Sequence, residues 1–233
     1  MPNWCRTNYA IEGEKKELDT LHQTMKRLQE MPEPLVENGF GSSWLGCLVK
    51  ELGEDPEKVN CRGDWSDLER DDKTIRVNFD TAWSPCYDVI QLLKRKYPSL
   101  RFYYRAMEPG NQVFQKNDEE GKYFPENIYV DYNGDDIFAI DEQEALQKLK
   151  AEYGLPERFT SLDEAEDYYD EAEDEDDYLS YAEFEITTDD DDERTAALIS
   201  TIRSGEITIG VEDGEDEVNE ENDDEDNDDE DEG

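Results

Sequence analysis

Residues 161–233 carry 35 Asp and Glu against 2 Lys and Arg, and no other feature restricts what this chain can fold into as strongly. Like charges at that density repel one another on compaction, and the segment has little apolar area to offset the repulsion. From Asp213 to the end, Val218 is the only aliphatic or aromatic side chain, so 213–233 is expected to be a disordered acidic tail. The core must therefore be built upstream. Residues 1–117 suit it, with 17 basic against 19 acidic side chains, and residues 118–160, with 4 against 12, are the transition. Nearly all of the formal net charge of −43 falls after residue 117.

Within the balanced part, hydrophobic periodicity marks the elements. CRTNYAIEG (5–13) alternates as a first strand. EKKELDTLHQTMKRLQEM (14–31) places Leu18, Leu21, Met25 and Leu28 on one helical face, with acids early and Lys26-Arg27 late, and it ends before Pro32 and Pro34. SSWLGCLVKELG (42–53) reads as a short helix with a Ser cap and a Gly stop. KVNCRGDWSDLERDDKTIRVNFDTAW (58–83) holds two strands around Asp71-Asp72-Lys73, the second alternating Ile75, Val77 and Phe79 against Arg76, Asn78 and Asp80. Ser84 and Pro85 are expected to cap and start a helix over 85–97, with Trp83 packed where strand meets helix. LRFYYRAME (100–108) is a strand that ends in a Pro109-Gly110 turn. NQVFQKN and KYFPENIYVDY continue in β style, and Asn133-Gly134 joins the latter to DIFAI as a type I′ hairpin. EQEALQKLKAEYG (142–154) is a helix with a Gly stop.

The order strand, helix, strand, strand, helix, strand is that of a split βαβ. The fold expected is therefore α+β: a ferredoxin-like head over 1–154 with an added β-hairpin, then a C-terminal acidic extension. In that extension, Ser161 caps an acidic helix reaching as far as residue 177. YAEFEITT (181–188), DERTAALISTIRSG (192–205) and EITIGVE (206–212) read as strand, helix and strand. These apolar residues suffice for a βαβ piece docked on the head but not for a core of their own, which makes 155–212 an appendage rather than a domain. MPNWCRTN at the start, FDTAWSP at 79–85, KYPSL at 96–100 with the strand after it, and Glu108-Pro109-Gly110 together resemble the phage- and plasmid-borne family with a YubB-type ferredoxin-like domain, over roughly residues 1–140. The resemblance implies a ferredoxin-like fold, a mobile-element origin and a bacterial cytoplasm; it brings no catalytic residue with it.

Little in the sequence looks like reaction chemistry. GxSxG, P-loop and HExxH motifs are absent, and His22 is the single histidine, placed off the apolar stripe of its helix. Cys5, Cys47, Cys61 and Cys86 contain no CxxC pair and read as reduced, buried thiols, the alternative being a zinc site assembled from distant residues. Asp131, Asn133, Asp135 and Glu142 fall at positions 1, 3, 5 and 12 of an EF-hand loop, but Asp136 stands where Gly is needed and the flanks are β-like, so a plain hairpin is expected. No cofactor and no metal is expected. No apolar run of about 18 residues spans a membrane, and MPNWCRTNYA lacks the apolar core of a secretion signal.

The acidic third supplies the functional reading. It repels phosphates, so direct nucleic-acid binding is not expected, whereas a protein with a basic surface or nucleic-acid-binding groove suits it. In DDEDNDDEDE (223–232) nine of ten residues are acidic, and an extended chain rises about 3.3 Å per residue, close to the roughly 3.4 Å phosphate spacing of a DNA strand. The residues expected to meet the partner are Asp174, Glu175, Asp176 and Asp177, Asp189, Asp190, Asp191 and Asp192, and Asp223, Asp224, Glu225 and Asp226. The expectation is a non-enzymatic, mobile-element-encoded binding or accessory protein, in its sharpest form a nucleic-acid mimic that inhibits a host nucleic-acid-binding or defence enzyme. The rivals are a carboxylate-metal-dependent hydrolase or nuclease and a structural domain with a solubilising tail.

Overall fold

The computed structural model describes residues 3–171 and 177–188. Alternation in β1 (Trp4–Glu12) sends Cys5, Thr7, Tyr9 and Ile11 to one side and Arg6, Asn8 and Glu12 to the other. α1 (Lys15–Gln29) buries Leu18, Leu21, Met25 and Leu28, the stripe read from the sequence. α2 (Leu45–Glu51) and α3 (Tyr87–Lys96) join α1 on the Tyr9 side of the sheet, where Leu48, Leu92 and Leu93 are fully buried. Each such side chain contributes about 1.5–3 kcal/mol by leaving water.

β2 (Gly63–Arg70) and β3 (Thr74–Ala82) form a hairpin, β3 pairs antiparallel with β1, and β4 (Arg101–Glu108) pairs with the other edge of β1. The order β2-β3-β1-β4 is the ferredoxin-like arrangement, and the fold is α+β as expected. β5 (Val113–Lys116) extends this sheet, and β9 (Glu185–Ile186) adds a sixth strand parallel to β5. Among the described residues, the sheet's other face carries no helix.

A second sheet, ordered β7-β6-β8, is built from β6 (Ile128–Tyr132), β7 (Asp135–Ala139) and β8 (Leu179–Glu183). Asn133 (φ 54°) and Gly134 (φ 87°) make the hairpin turn with both positive φ angles that a type I′ turn requires. Asp131 accepts from the Gly134 N–H and Glu142 from the Leu162 N–H, so the EF-hand positions lie on a hairpin. α4 (Glu142–Glu152) packs on β6 and β7, and α5 (Leu162–Asp170), capped by Ser161 as expected, packs on β8.

Several expectations need correction. Hydrophobic packing does not divide at residue 154: Leu155, Phe159, Leu162, Ala165 and Leu179 complete one cluster with Ile128, Val130 and Leu149. Ile128, Val130, Ile137 and Ala139 share one face of the hairpin, and the chain after 154 supplies the other side of that core. α3 starts at Tyr87 with Cys86 as its N-cap, not at Pro85 after Ser84, because the Ser84 carbonyl accepts the Thr81 hydroxyl at 2.7 Å and holds that residue to the end of β3. α2 is capped by Trp44, while Ser42 donates its hydroxyl to the Met31 carbonyl instead. Trp83 does not pack into the joint: it is 45% exposed and holds φ 73°, a backbone conformation unusual for a bulky residue. The expected helix over 192–205 and strand over 206–212 lie outside the described residues.

Candidate functional site

Strand register aligns five polar residues on the helix-free face of the first sheet: Ser66 on β2, Asn78 on β3, Asn8 on β1, Arg105 on β4 and Lys116 on β5. The pairing between β2 and β3 slips between Ser66 and Glu69, and in that bulge Asp67 adopts φ 50°. A bulge re-aims side chains, and here the Asp67 carboxylate reaches Asn78. The hydrogen bonds run in one direction. Arg105 Nη2 donates to Asn8 Oδ1 at 3.5 Å, Asn8 Nδ2 donates to Asn78 Oδ1 at 2.7 Å, and Asn78 Nδ2 donates to Asp67 Oδ2 at 2.8 Å. A chain that begins on a cation and ends on an anion is polarised along its length, and each bond strengthens the next.

Arg105 and Lys116 are the two cations of this row. Arg105 Nη1 pairs with Glu126 at 3.0 Å, and its guanidinium carbon lies 4.0 Å from the centroid of the Phe138 ring on the second sheet. Burial lowers its pKa and Glu126 opposes that shift. Its Nε is buried without a hydrogen-bond partner among the described residues. Next to it, the Lys116 ammonium donates to the Phe124 and Glu126 carbonyls at 3.0 Å each, and burial lowers its pKa too.

The loop over 117–127 forms one wall. Buried Asp118 accepts from the backbone N–H groups of Lys122, Tyr123 and Phe124, an arrangement that holds the loop in one shape. Glu12 accepts from Lys122 and from the Tyr103 and Tyr123 hydroxyls, and the Lys122 contact, first among these, holds the Glu12 carboxyl below the usual range. Between wall and sheet lies a polar cavity of about 350 Å³ lined by Asn8, Arg76, Asn78, Arg105 and Tyr123, among others.

The second layer presents a different surface. Every ion pair among the described residues takes its acid from the stretch 12–157. The acids of α5 and β8 meet hydroxyls and amides instead: Asp163 accepts the Tyr181 hydroxyl, and Glu166 accepts the Tyr181 N–H at 3.2 Å. Burial, reinforced by Asp170, Asp163 and Asp167, raises the Glu166 pKa. Among the described residues, no group of three or more His, Cys, Asp or Glu is placed to hold a metal ion.

Of the residues expected to meet a partner, only Asp177 is described; it is exposed and accepts from the Asn133 side-chain amide at 3.2 Å. Asp174, Glu175, Asp176, Asp189, Asp190, Asp191, Asp192, Asp223, Asp224, Glu225 and Asp226 lie outside the described residues. All four cysteines are buried, and burial pushes the Cys5 thiol up to about 12. His22, partly buried, is lowered by desolvation and then by Lys26. The polar row was missed at the level of residues. Alternation in β1 and β3 marks Asn8 and Asn78 as facing away from the core, but their meeting depends on register.

Strand order and the added second sheet define a ferredoxin-like α+β protein with an acidic outer layer. Residues 62–198 match the family described as the ferredoxin-like domain in Api92-like protein, and the chain belongs to that family. The match begins just before β2 and so excludes the MPNWC start that carried part of the resemblance read over 1–140. No curated protein and no solved structure matches the chain. No helix among the described residues is long and apolar enough to cross a membrane.

Proposed function

We propose that this chain is a non-enzymatic binding protein whose acidic C-terminal part engages a basic surface on another protein, in the sharpest form a groove made for nucleic acid. The observation that supports it most directly is that none of the ion pairs among the described residues takes its acid from α5 or β8, although Glu164 lies in the field of Arg158 and Lys150. Unneutralised carboxylates beside tyrosine rings leave their field available to an external cation, and 161–233 extends the same sign with 35 acidic and 2 basic residues. The resemblance adds a setting to this proposal: a mobile element in a bacterial cytoplasm, where a nucleic-acid mimic would disarm a host enzyme.

The experiment is affinity capture of basic nucleic-acid-binding proteins on the immobilised full chain, eluted by salt or by duplex DNA. Capture should weaken steeply with salt, because the Debye length falls from about 10 Å at 0.1 M to about 3 Å at 1 M, and DNA should displace what is captured. Retention through 1 M salt, or indifference to DNA, overturns the reading.

A further inference from the structure

We propose that the polar cavity on the helix-free face of the first sheet binds an uncharged nucleobase or nucleoside. This goes beyond the acidic reading and uses a different region of the molecule.

Size sets the first limit. About 350 Å³ is at the small end of the roughly 300–1,000 Å³ range of ligand pockets, enough for one heterocycle with a sugar and too little for a peptide segment. Hydrogen-bond capacity sets the second. An amide side chain offers two N–H donors and two carbonyl lone pairs. The chain from Arg105 to Asp67 uses one donor and one lone pair on each of Asn8 and Asn78. Each amide keeps an adjacent donor and acceptor, the pair an asparagine uses to read a base edge. Both are half-buried, and their neighbours in the row fix their orientation.

Arg76 supplies a stacking surface. It stands two residues before Asn78 on the same face of β3 and is exposed; no carboxylate lies within ion-pair distance of it among the described residues, and its guanidinium carbon is 5.7 Å from the centroid of Tyr123. A guanidinium plane beside an aromatic ring accepts a flat heterocycle on its face. Tyr123 does not have to be ordered for the occasion, since Asp118 fixes its backbone and Glu12 its hydroxyl. Pre-ordering of this kind lowers the entropic cost of binding.

Charge decides against a phosphate. Asp67, Glu69 and Glu126 line the same cavity, and Glu126 already neutralises Arg105. With a chain total of −43, the long-range field also opposes an anion. The favoured ligand is the base without its phosphate.

The test titrates the full chain with adenosine, guanosine, cytidine and uridine at up to millimolar concentration, following the Asn side-chain amide resonances. Parallel arms use the matching 5′-monophosphates and a short single-stranded oligonucleotide. At least one nucleoside should shift the Asn8 and Asn78 amides saturably, and its monophosphate and the oligonucleotide should bind more weakly. Arg76→Ala should keep the wild-type melting temperature, its side chain being exposed and in no ion pair among the described residues, yet bind roughly tenfold more weakly, as loss of one good contact implies. Three results each overturn the proposal: no saturable shift with any nucleoside, tighter binding of the monophosphate or oligonucleotide, or unchanged affinity in Arg76→Ala.

Discussion

In the first sheet several half-buried charges meet opposite charges, while the fully buried Lys116 and Asp118 are held by backbone groups. Arg70 reaches Asp19 at 3.1 Å, Arg105 reaches Glu126 at 3.0 Å, and Glu12 collects Lys122 and two tyrosine hydroxyls. In the second layer α5 and β8 place carboxylates near one another with tyrosines and backbone amides for company. Both regions have a hydrophobic cluster, but the first draws on three helices and four central strands and the second on a three-stranded sheet and two helices. A large core can carry a charge-balanced surface around it. A small one bearing uncompensated charge depends on what it leans against, here the aromatic contacts of Phe114 with Tyr129 and Phe184 and the guanidinium of Arg105 on Phe138.

That dependence gives the largest expected effect. Phe79→Ala in the first core should cost about 3–5 kcal/mol and Leu149→Ala in the second about 2–5 kcal/mol. Because β9 pairs with β5 and Arg105 packs on Phe138, both variants should melt in one transition by circular dichroism. Two resolved transitions, with Leu149→Ala moving only the lower one, would break the picture of a dependent second layer.

A pair of neutralising substitutions sharpens the contrast in charge, with opposite signs. Glu12 has its pKa lowered by Lys122 and its tyrosine partners, so its ionised form is favoured in the fold. Its contribution is full above the ordinary glutamate pKa and is lost as pH falls through the lowered folded value. Glu12→Gln should therefore lower the melting temperature at pH 7, and the gap should close in acid. Glu166 has its pKa raised, by burial first and by Asp170, Asp163 and Asp167 after it. Its charge opposes folding at pH 7, and wild type gains stability as pH falls through the raised value. Glu166→Gln should raise the melting temperature at pH 7 and lose its advantage in acid. Equal signs for the two variants at pH 7 would remove the distinction between the regions.

The smallest effect is at Trp83. An exposed ring at the strand end implies that Trp83→Ala costs under about 1 kcal/mol, in line with surface substitutions. Trp83→Gly should be at least as stable as Trp83→Ala, since left-handed φ costs a non-glycine residue about 1–2 kcal/mol. A loss of several kcal/mol in Trp83→Ala would mean that the ring is packed after all.

Sequence by itself determined the elements whose signal is local. The stripe Leu18, Leu21, Met25, Leu28, the alternation around Ile75, Val77 and Phe79, and the Asn133-Gly134 turn all reappear, because helix period, strand period and positive φ are properties of a few adjacent residues. The split βαβ order followed from those elements. Three outcomes were decided by tertiary structure. Ser42 and Ser84 look like caps, but the Met31 carbonyl takes the Ser42 hydroxyl and the Ser84 carbonyl is tied to Thr81 at the end of β3. Leu155, Phe159 and Leu179 look too sparse for a core and become one only against Ile128 and Val130. Asn8, Asn78 and Arg105 are separated by up to 97 positions and meet only because the register of β3, β1 and β4 brings them level. A one-residue slip would turn each of them to the other face, and no short window of sequence contains that information.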